Sequence, residues 1–398
     1  MSVLQKSRPQ AVLNLPYYLI FSLAVGAGLS VASIYYNQPI LSLLGTQLHI
    51  QVVHIGWVAT GTQVGYALGI LLLVPLGDMF DRRVLILVKS LLLAIALLLC
   101  SFASGFYSLL LISLLVGVMA SVAQDIIPAT ATLAPAQQRG KIVGTVMTGL
   151  LLGILLSRVF SGVMAQYFGW QSVFQIAAIL MVIVAGVLWR VLPAMPASLT
   201  LGYGALIKSL VKLWQTYPQL RTAALSQGLL SISFSAFWSM LSIFLEQYYH
   251  LGSGIAGAFG LAGAAGALGA PIAGRLTDRL SAVHVAQGGS ALVTLAFVLI
   301  ATVFVWPASM QLAVLAFGAI VFDLGLQSSL IAHQSIIYSL EPQARGRLNA
   351  LLFTGVFIGM ASGSALGGYA YAGWGWMGVC FVAISCALLA LIVRSRGR

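Results

Sequence analysis

Twelve apolar runs, each about twenty residues long and parted by short polar interruptions, constrain this chain more than any other feature. They fall near 16–36, 55–76, 84–103, 107–130, 142–165, 171–192, 224–246, 254–274, 283–305, 310–334, 347–370 and 375–393. A helix of that length crosses the roughly 30 Å hydrocarbon core of a bilayer. Because the runs are continuous, they argue against a membrane barrel, whose strands alternate apolar and polar residues. With 60% hydrophobic and 7% charged residues, and a mean hydropathy of +1.03, the chain lies outside the range of water-soluble domains. A net charge of +12 would point a soluble chain towards nucleic acid; here no nucleic-acid partner is expected, because the placement of the charges has another meaning. The fold class expected is an all-α membrane protein of twelve transmembrane helices in two six-helix pseudo-repeats.

Short loops rich in Lys and Arg stay in the cytoplasm. Lys6 and Arg8 precede the first span, and Arg82, Arg83 and Lys89 follow the second. Arg139 and Lys141 follow the fourth; Arg190, Lys208, Lys212 and Arg221 the sixth; Arg275 and Arg279 the eighth; Arg345 and Arg347 the tenth. Arg394, Arg396 and Arg398 end the chain, and loops of the opposite parity hold no Lys or Arg. A stack of soluble helices has no reason to sort charge in this way. Both termini are therefore expected in the cytoplasm of a bacterial-type inner (plasma) membrane, which leaves Arg158 as the one basic residue within a span. The first apolar run exceeds the 7–15 residues of a signal-peptide core, so it reads as a retained span. Cys100, Cys380 and Cys386 sit in apolar runs and offer neither a metal spacing nor a disulfide framework.

Sliding the chain against itself by 206 residues puts Arg139-Gly140 on Arg345-Gly346, Thr148-Gly149 on Thr354-Gly355, and Gly153 on Gly359. The same shift puts Gly162 on Gly368 and Gly169-Trp170 on Gly375-Trp376, while a shift of 197 puts Gly77, Asp81 and Arg82 on Gly274, Asp278 and Arg279. Parallel repeats of this kind place a transport site between two halves. The expected division is an N-terminal bundle over 1–192, a cytoplasmic linker over 193–221, and a C-terminal bundle over 222–398. In the linker, Leu206, Ile207, Leu210, Val211 and Leu213 alternate with Lys208 and Lys212. That pattern reads either as a short amphipathic helix on the anionic inner leaflet or as a plain flexible connection.

The segment Gly77-Asp78-Met79-Phe80-Asp81-Arg82-Arg83 between spans two and three resembles the signature loop of the major facilitator superfamily. Carboxylates beside arginines at a helix end can pair across the cytoplasmic face. The resemblance implies a conformational latch formed by Gly77, Asp78, Asp81, Arg82 and Arg83, with Asp278 and Arg279 at the equivalent place in the second half. Span five, with Gly149, Gly153, Ser157, Arg158, Ser161 and Gly162, resembles the glycine-rich motif of drug and sugar efflux proton antiporters. Span eleven repeats the spacing with Gly359, Gly363, Gly367 and Gly368. By residue chemistry alone, small residues four apart permit close helix contact. The span-four arginine of proton-linked exporters is absent; Ser113 precedes Gly117 there.

An ionisable side chain inside a span is costly in lipid and marks a functional hypothesis. Asp125 and Asp323 are the proton-coupling candidates, because burial favours carriage of a proton by a carboxylate. Arg158, about 25 Å along its helix from Lys141, would hold an anionic substrate group or bias a carboxylate. A direct pair with Asp125 faces a depth difference of roughly 10 Å. The remaining cavity candidates are Tyr36, Asn37, Gln38, Gln63, Tyr66, Gln124, Gln227, Trp238 and Gln327. Tyr35 to Pro39 read equally as part of the outer aromatic belt, each buried charge reads otherwise as a structural anchor, and the span-seven serines as helix contacts. His333 is placed at a loop end and Glu246 at the interface. The expected function is alternating-access transport, as a proton-coupled exporter of small amphipathic compounds or sugars, or else as an importer or facilitator of a small organic anion. Of other classes, a polytopic enzyme lacks convergent catalytic groups here, a receptor or scaffold would not require buried Asp125, Arg158 and Asp323, and no P-loop for ATP-driven transport appears. Neither cofactor nor metal is expected; the partners are a small-molecule substrate, protons and the lipid bilayer, around a monomer.

Overall fold

The computed structural model describes residues 15–135, 137–196, 202–267 and 270–396. Those residues form helices and turns with no strand. Nine of the described helices are long and apolar enough to span a membrane, and two shorter apolar helices, Tyr17–Ala32 and Ser253–Gly266, join them. The longest, Arg345–Arg396, is two spans joined at Gly375. Twelve spans result, in the order the hydropathy predicts. Span one is Tyr17–Ala32, span two Val52–Leu68 continued through a π and a 3-10 turn to Asp78, span three Arg82–Cys100, and span four Phe106–Ala120 continued by Ala123–Leu133. Spans five and six are Arg139–Phe168 and Trp170–Val191. In the second half, span seven is Pro218–Tyr249, span eight Ser253–Ala267 with Ala270–Arg279, span nine Ala282–Ala301, and span ten Ala308–Tyr338.

The internal repeat reappears as repeated packing. Gly169 and Gly375 both adopt positive φ, 82° and 60°, so the turns from span five to six and from eleven to twelve each use a residue free of a side-chain penalty. Deeper in the bilayer, a Cβ placed at Gly153 would collide with the Gly28 carbonyl of span one. One placed at Gly359 would collide with the Gly228 carbonyl of span seven. Spans one and five thus meet backbone to backbone, as do spans seven and eleven, and glycine is what permits it.

Two sets of contacts join the halves near the ends that the charge pattern places outside. Span two meets span eleven where Thr60 donates to the Ala361 carbonyl at 2.8 Å and Gly56 faces the Ser364 carbonyl. Spans five and eight meet where Ser253 donates to the Gly162 carbonyl at 3.0 Å and the Gly254 amide donates to Gln166 at 2.8 Å. At the inner end of span five, by contrast, no described atom lies within 4 Å of a Cβ built at Gly140 or Gly144. The face that the charge pattern places outside is therefore the one these contacts close.

At the inner face the linker forms a helix, Tyr203–Thr216, and part of its apolar side packs on protein while Val211 and Trp214 stay exposed. Leu206 and Leu210 are buried, and Leu210 clusters with Leu220, Ala224, Ile337 and Leu348 at the inner ends of spans seven, ten and eleven. Tyr217, just after it, donates to Glu341 at 3.1 Å. Arg394 is likewise no free anchor in solvent: it is 3% exposed. The charges expected at Lys6, Arg8 and Arg398 lie outside the described residues.

Candidate functional site

Just after span one the chain leaves the helix in a turn over Ser33–Asn37 and re-enters a 3-10 turn at Gln38–Ile40. This break carries Tyr35, Tyr36, Asn37 and Gln38 inwards, and all four are buried. They belong to the protein interior and not to the lipid-facing belt. Gln38 meets Arg158 of span five, whose Nε donates to Gln38 Oε1 at 2.9 Å. The guanidinium stands 4.4 Å above the Trp238 ring of span seven, 4.8 Å from Tyr35 and 5.5 Å from Phe234. Such faces attract a cation, so three aromatic rings hold the charge where no carboxylate bonds it. Asp323 of span ten comes next, since Asp323 Oδ2 and Trp238 flank Gly263 of span eight on the side where a Cβ would project. Asp323 and Arg158 interact electrostatically. They do not form an ion pair: among the described residues only Arg82–Asp78 and Lys89–Asp125 do.

Arg158 Nη2 and Gln38 Nε2 lack partners in this group, while the Trp238 side chain acts on Asp323. Arg158, Gln38 and Trp238 line one cleft with Leu241, Ser242 and Ala256. A buried donor left unmade costs about 1–3 kcal/mol. The arrangement is thus held at a cost that packing elsewhere supplies, and it presents donors to whatever enters.

A second polar seam lies between the halves. Gln63 donates to Ser235 at 2.9 Å and accepts from Ser364 at 3.1 Å, and Ser364 meets Ser235 and Ser239 at 2.7 and 2.8 Å. Beside it Asn37 donates to Thr62 at 3.1 Å. Towards the inner side Gln124 donates to Tyr66 at 3.1 Å, and the Tyr66 ring lies 4.4 Å from Phe357. Gln227 bonds His333 Nδ1 at 3.0 Å. His333, expected at a loop end, is fully buried; helix ten runs on to Tyr338 and keeps it inside. Gln327 is partly exposed and hydrogen-bonds no described residue.

Asp125 belongs to neither group. Its Oδ2 pairs with Lys89 Nζ at 2.5 Å, and both residues are at most 2% exposed. Lys89, counted by loop position as a cytoplasmic anchor, lies seven residues inside span three. Its depth within Arg82–Cys100 was the available signal. Asp125 Oδ1 and Arg82 both approach Gly77, within 3.4 and 3.1 Å of a Cβ built there. The latch loop therefore lies against Asp125 of the buried pair, and a side chain at position 77 would crowd Arg82 and Asp125 there. Arg82 bonds Asp78 at 2.7 Å and the Gly77 carbonyl at 3.2 Å. Asp81 instead caps span three, accepting from the Arg83 amide at 2.8 Å, and also accepts from the Met195 amide at 3.2 Å. Arg83 donates to the Trp189 carbonyl and lies over its ring. These latch contacts are made within the first half and with Met195 at the start of the linker. In the second half Arg279 is exposed and the side chain of Asp278 lies outside the described residues. The glycines do their work in helix contact: Gly149 faces Ala24, Gly162 faces Ser253, Gly363 faces Ile232, Gly367 faces Ala236 and Gly368 faces Val53.

Twelve spans in two repeats, closed outside over a buried Arg158–Asp323 group, define a membrane transporter fold. The model of the Major Facilitator Superfamily matches the chain over residues 23–333 and 223–396, and the chain belongs to that family. It is 40% identical over 380 residues to the "Uncharacterized transporter YgaY" of Escherichia coli O157:H7, covering 95% of each chain. It is 32% identical over 363 residues to the "Probable transporter SCO4007" of Streptomyces coelicolor, covering 91% of this chain and 83% of that one. Among solved structures, the nucleoside transporter NupG superposes with a TM-score of 0.78 at 12% identity, covering 95% of this chain and 99% of that one. A bacterial homolog of the human lysosomal transporter Spinster, in an inward-facing and occupied conformation, superposes at 0.73 with 15% identity, covering 98% and 96%. At such identities these two structures speak for the fold alone.

Proposed function

We propose that this chain is a proton-coupled secondary transporter working by alternating access, with Arg158 holding the substrate and Asp323 carrying the proton. The observation that supports this reading is the buried guanidinium that stands beside a buried carboxylate without bonding it. Charges inside a bilayer are retained where they do work on an ion or substrate, and here both lie on helices from opposite halves. The closed outer contacts between spans two and eleven and between five and eight would part, and the inner ends approach, as the halves rock. Asp125, tied to Lys89 under the latch, acts in this reading as part of the inner gate and not as a second carrier. The division 1–192, 193–221 and 222–398 supplies the moving bodies and their tether.

The test is reconstitution into vesicles holding a pH-sensitive dye, under an imposed pH gradient, with a panel of sugars, lipophilic cations and organic anions. Compound-triggered proton movement should appear and vanish in Asp323→Asn, while Asp125→Asn should slow the cycle without uncoupling it. Its sign separates export, the first expectation from the sequence, from import of an organic anion. Compound movement with no proton movement would reduce the protein to a facilitator and Asp323 to an anchor.

A further inference from the structure

We propose that the substrate is a small monoanion, a carboxylate or equivalent oxyanion on a flat apolar body, and that it crosses in company with one proton. This rests on the reading above that Arg158 and Asp323 form the transport site. The chemistry of the cleft selects the charge. Arg158 Nη2 and Gln38 Nε2 are donors with nothing to donate to, on residues at most 2% exposed, while the Trp238 N–H beside them acts on Asp323. Two acceptors along the same cleft are already taken: Gln38 Oε1 receives Arg158, and the Gln38 carbonyl receives Ser242 at 3.2 Å. Two spare donors, one of them on a guanidinium, suit a ligand group rich in lone pairs, and a guanidinium binds an oxyanion best of all. The rings of Tyr35, Phe234 and Trp238 around it suit a flat apolar remainder. The cleft has no room for a water molecule in this conformation, so the ligand enters when the halves part.

Charge balance then sets the stoichiometry. The titratable groups that face Asp323 are Arg158 from span five and Tyr35 from the end of span one. Span seven contributes Trp238, and span eight contributes Gly263 and Gly266. The site therefore holds one positive and one negative side chain. Empty, it is neutral. With a monoanion on Arg158 it carries one excess negative charge, which a proton on Asp323 removes. Carrying a net charge through a dry, low-dielectric state is unfavourable, so the two forms that reorient are the empty one and the one holding both anion and proton. A cationic substrate would reverse this logic and exchange for the proton, but it would have to sit against Arg158. Where protons are driven inwards, the anion would be taken up.

The full-length protein in nanodiscs and vesicles can test both parts with four probes. Phenylacetate and benzenesulfonate are monoanions, phenylacetamide is neutral, and phenethylammonium is a cation. The two anions should raise the unfolding temperature, the other two should not, and Arg158→Gln should abolish the preference. Arg158→Lys, which keeps the charge but loses the fork, should retain the preference at about tenfold weaker affinity; it serves if the glutamine variant fails to fold. In vesicles benzenesulfonate, a strong acid that brings no proton of its own, should enter with one proton each and without response to an imposed potassium diffusion potential. Asp323→Asn, permanently neutral, should lose net uptake yet keep exchange of labelled for unlabelled anion. The proposal falls if amide or amine stabilises the protein as well as the anions do, even where proton-linked transport of the amine upholds the broader reading. It falls equally if the anion enters alone and carries current, which would also overturn proton coupling.

Discussion

At the scale of single residues, the buried pair Lys89–Asp125 is the sharpest feature outside the central site. Each partner desolvates the other, and removing one leaves an uncompensated charge in a dry interior. Lys89→Met or Asp125→Leu alone should lower stability by about 3–5 kcal/mol, and the double variant should recover most of that loss. Thermal unfolding in detergent checks it; additive losses would show the two residues to be independent. The sequence marked Asp125 and Arg158 as misfits in apolar runs and placed them at different depths, and in the fold each has its own partner, Lys89 and Gln38. Lys89 escaped notice because counting charges by loop assigns a residue near a loop to that loop. Phe234 escaped because a wholly apolar ring in an apolar run carries no signal of what it faces.

At the scale of elements, close contact between spans depends on a few glycines. Gly153 rests on the Gly28 carbonyl, so Gly153→Leu should separate spans one and five and cost about 1–3 kcal/mol. Gly144→Ala, two turns inwards where nothing described lies close, should be neutral or slightly stabilising. Unfolding temperatures of the two variants give the comparison, and equal losses would refute the contact. The repeat that matched Gly153 to Gly359 was visible in the sequence because both positions obey the same steric demand. The linker helix was visible too, from the alternation of Leu206, Leu210 and Lys208. Its resting place was not, because an amphipathic stripe fits a protein groove as well as a lipid surface.

At the scale of the whole molecule, the seam of Gln63 with Ser235 and Ser364 joins the halves under the closed outer face. Gln63→Leu deletes two hydrogen bonds that join the halves in this state. At about 0.5–1.5 kcal/mol each, their loss should move the closed-to-open ratio by roughly tenfold or more. Spin labels at Tyr167 and Ile255, exposed near the outer ends of spans five and eight, would report it as a longer distance population. An unchanged distribution would show that the seam does not hold the outer face shut.

Span number, the parity of charge and the six-plus-six repeat were all fixed before folding, because each is a local property. Hydrophobic length is counted along the chain, and a bilayer admits few ways to satisfy it. What meets what was decided only by the tertiary structure. A span that is apolar on every face has no stripe to declare its inward side, and packing between helices in lipid turns on shape more than on pattern. A rotation of one residue, 100° about the helix axis, would turn Trp238 away from Arg158 or Lys89 away from Asp125. The sequence therefore names the charged and polar residues that the membrane tolerates, and the packing of helices one, five, seven and ten decides that Arg158 stands among aromatic rings beside Asp323.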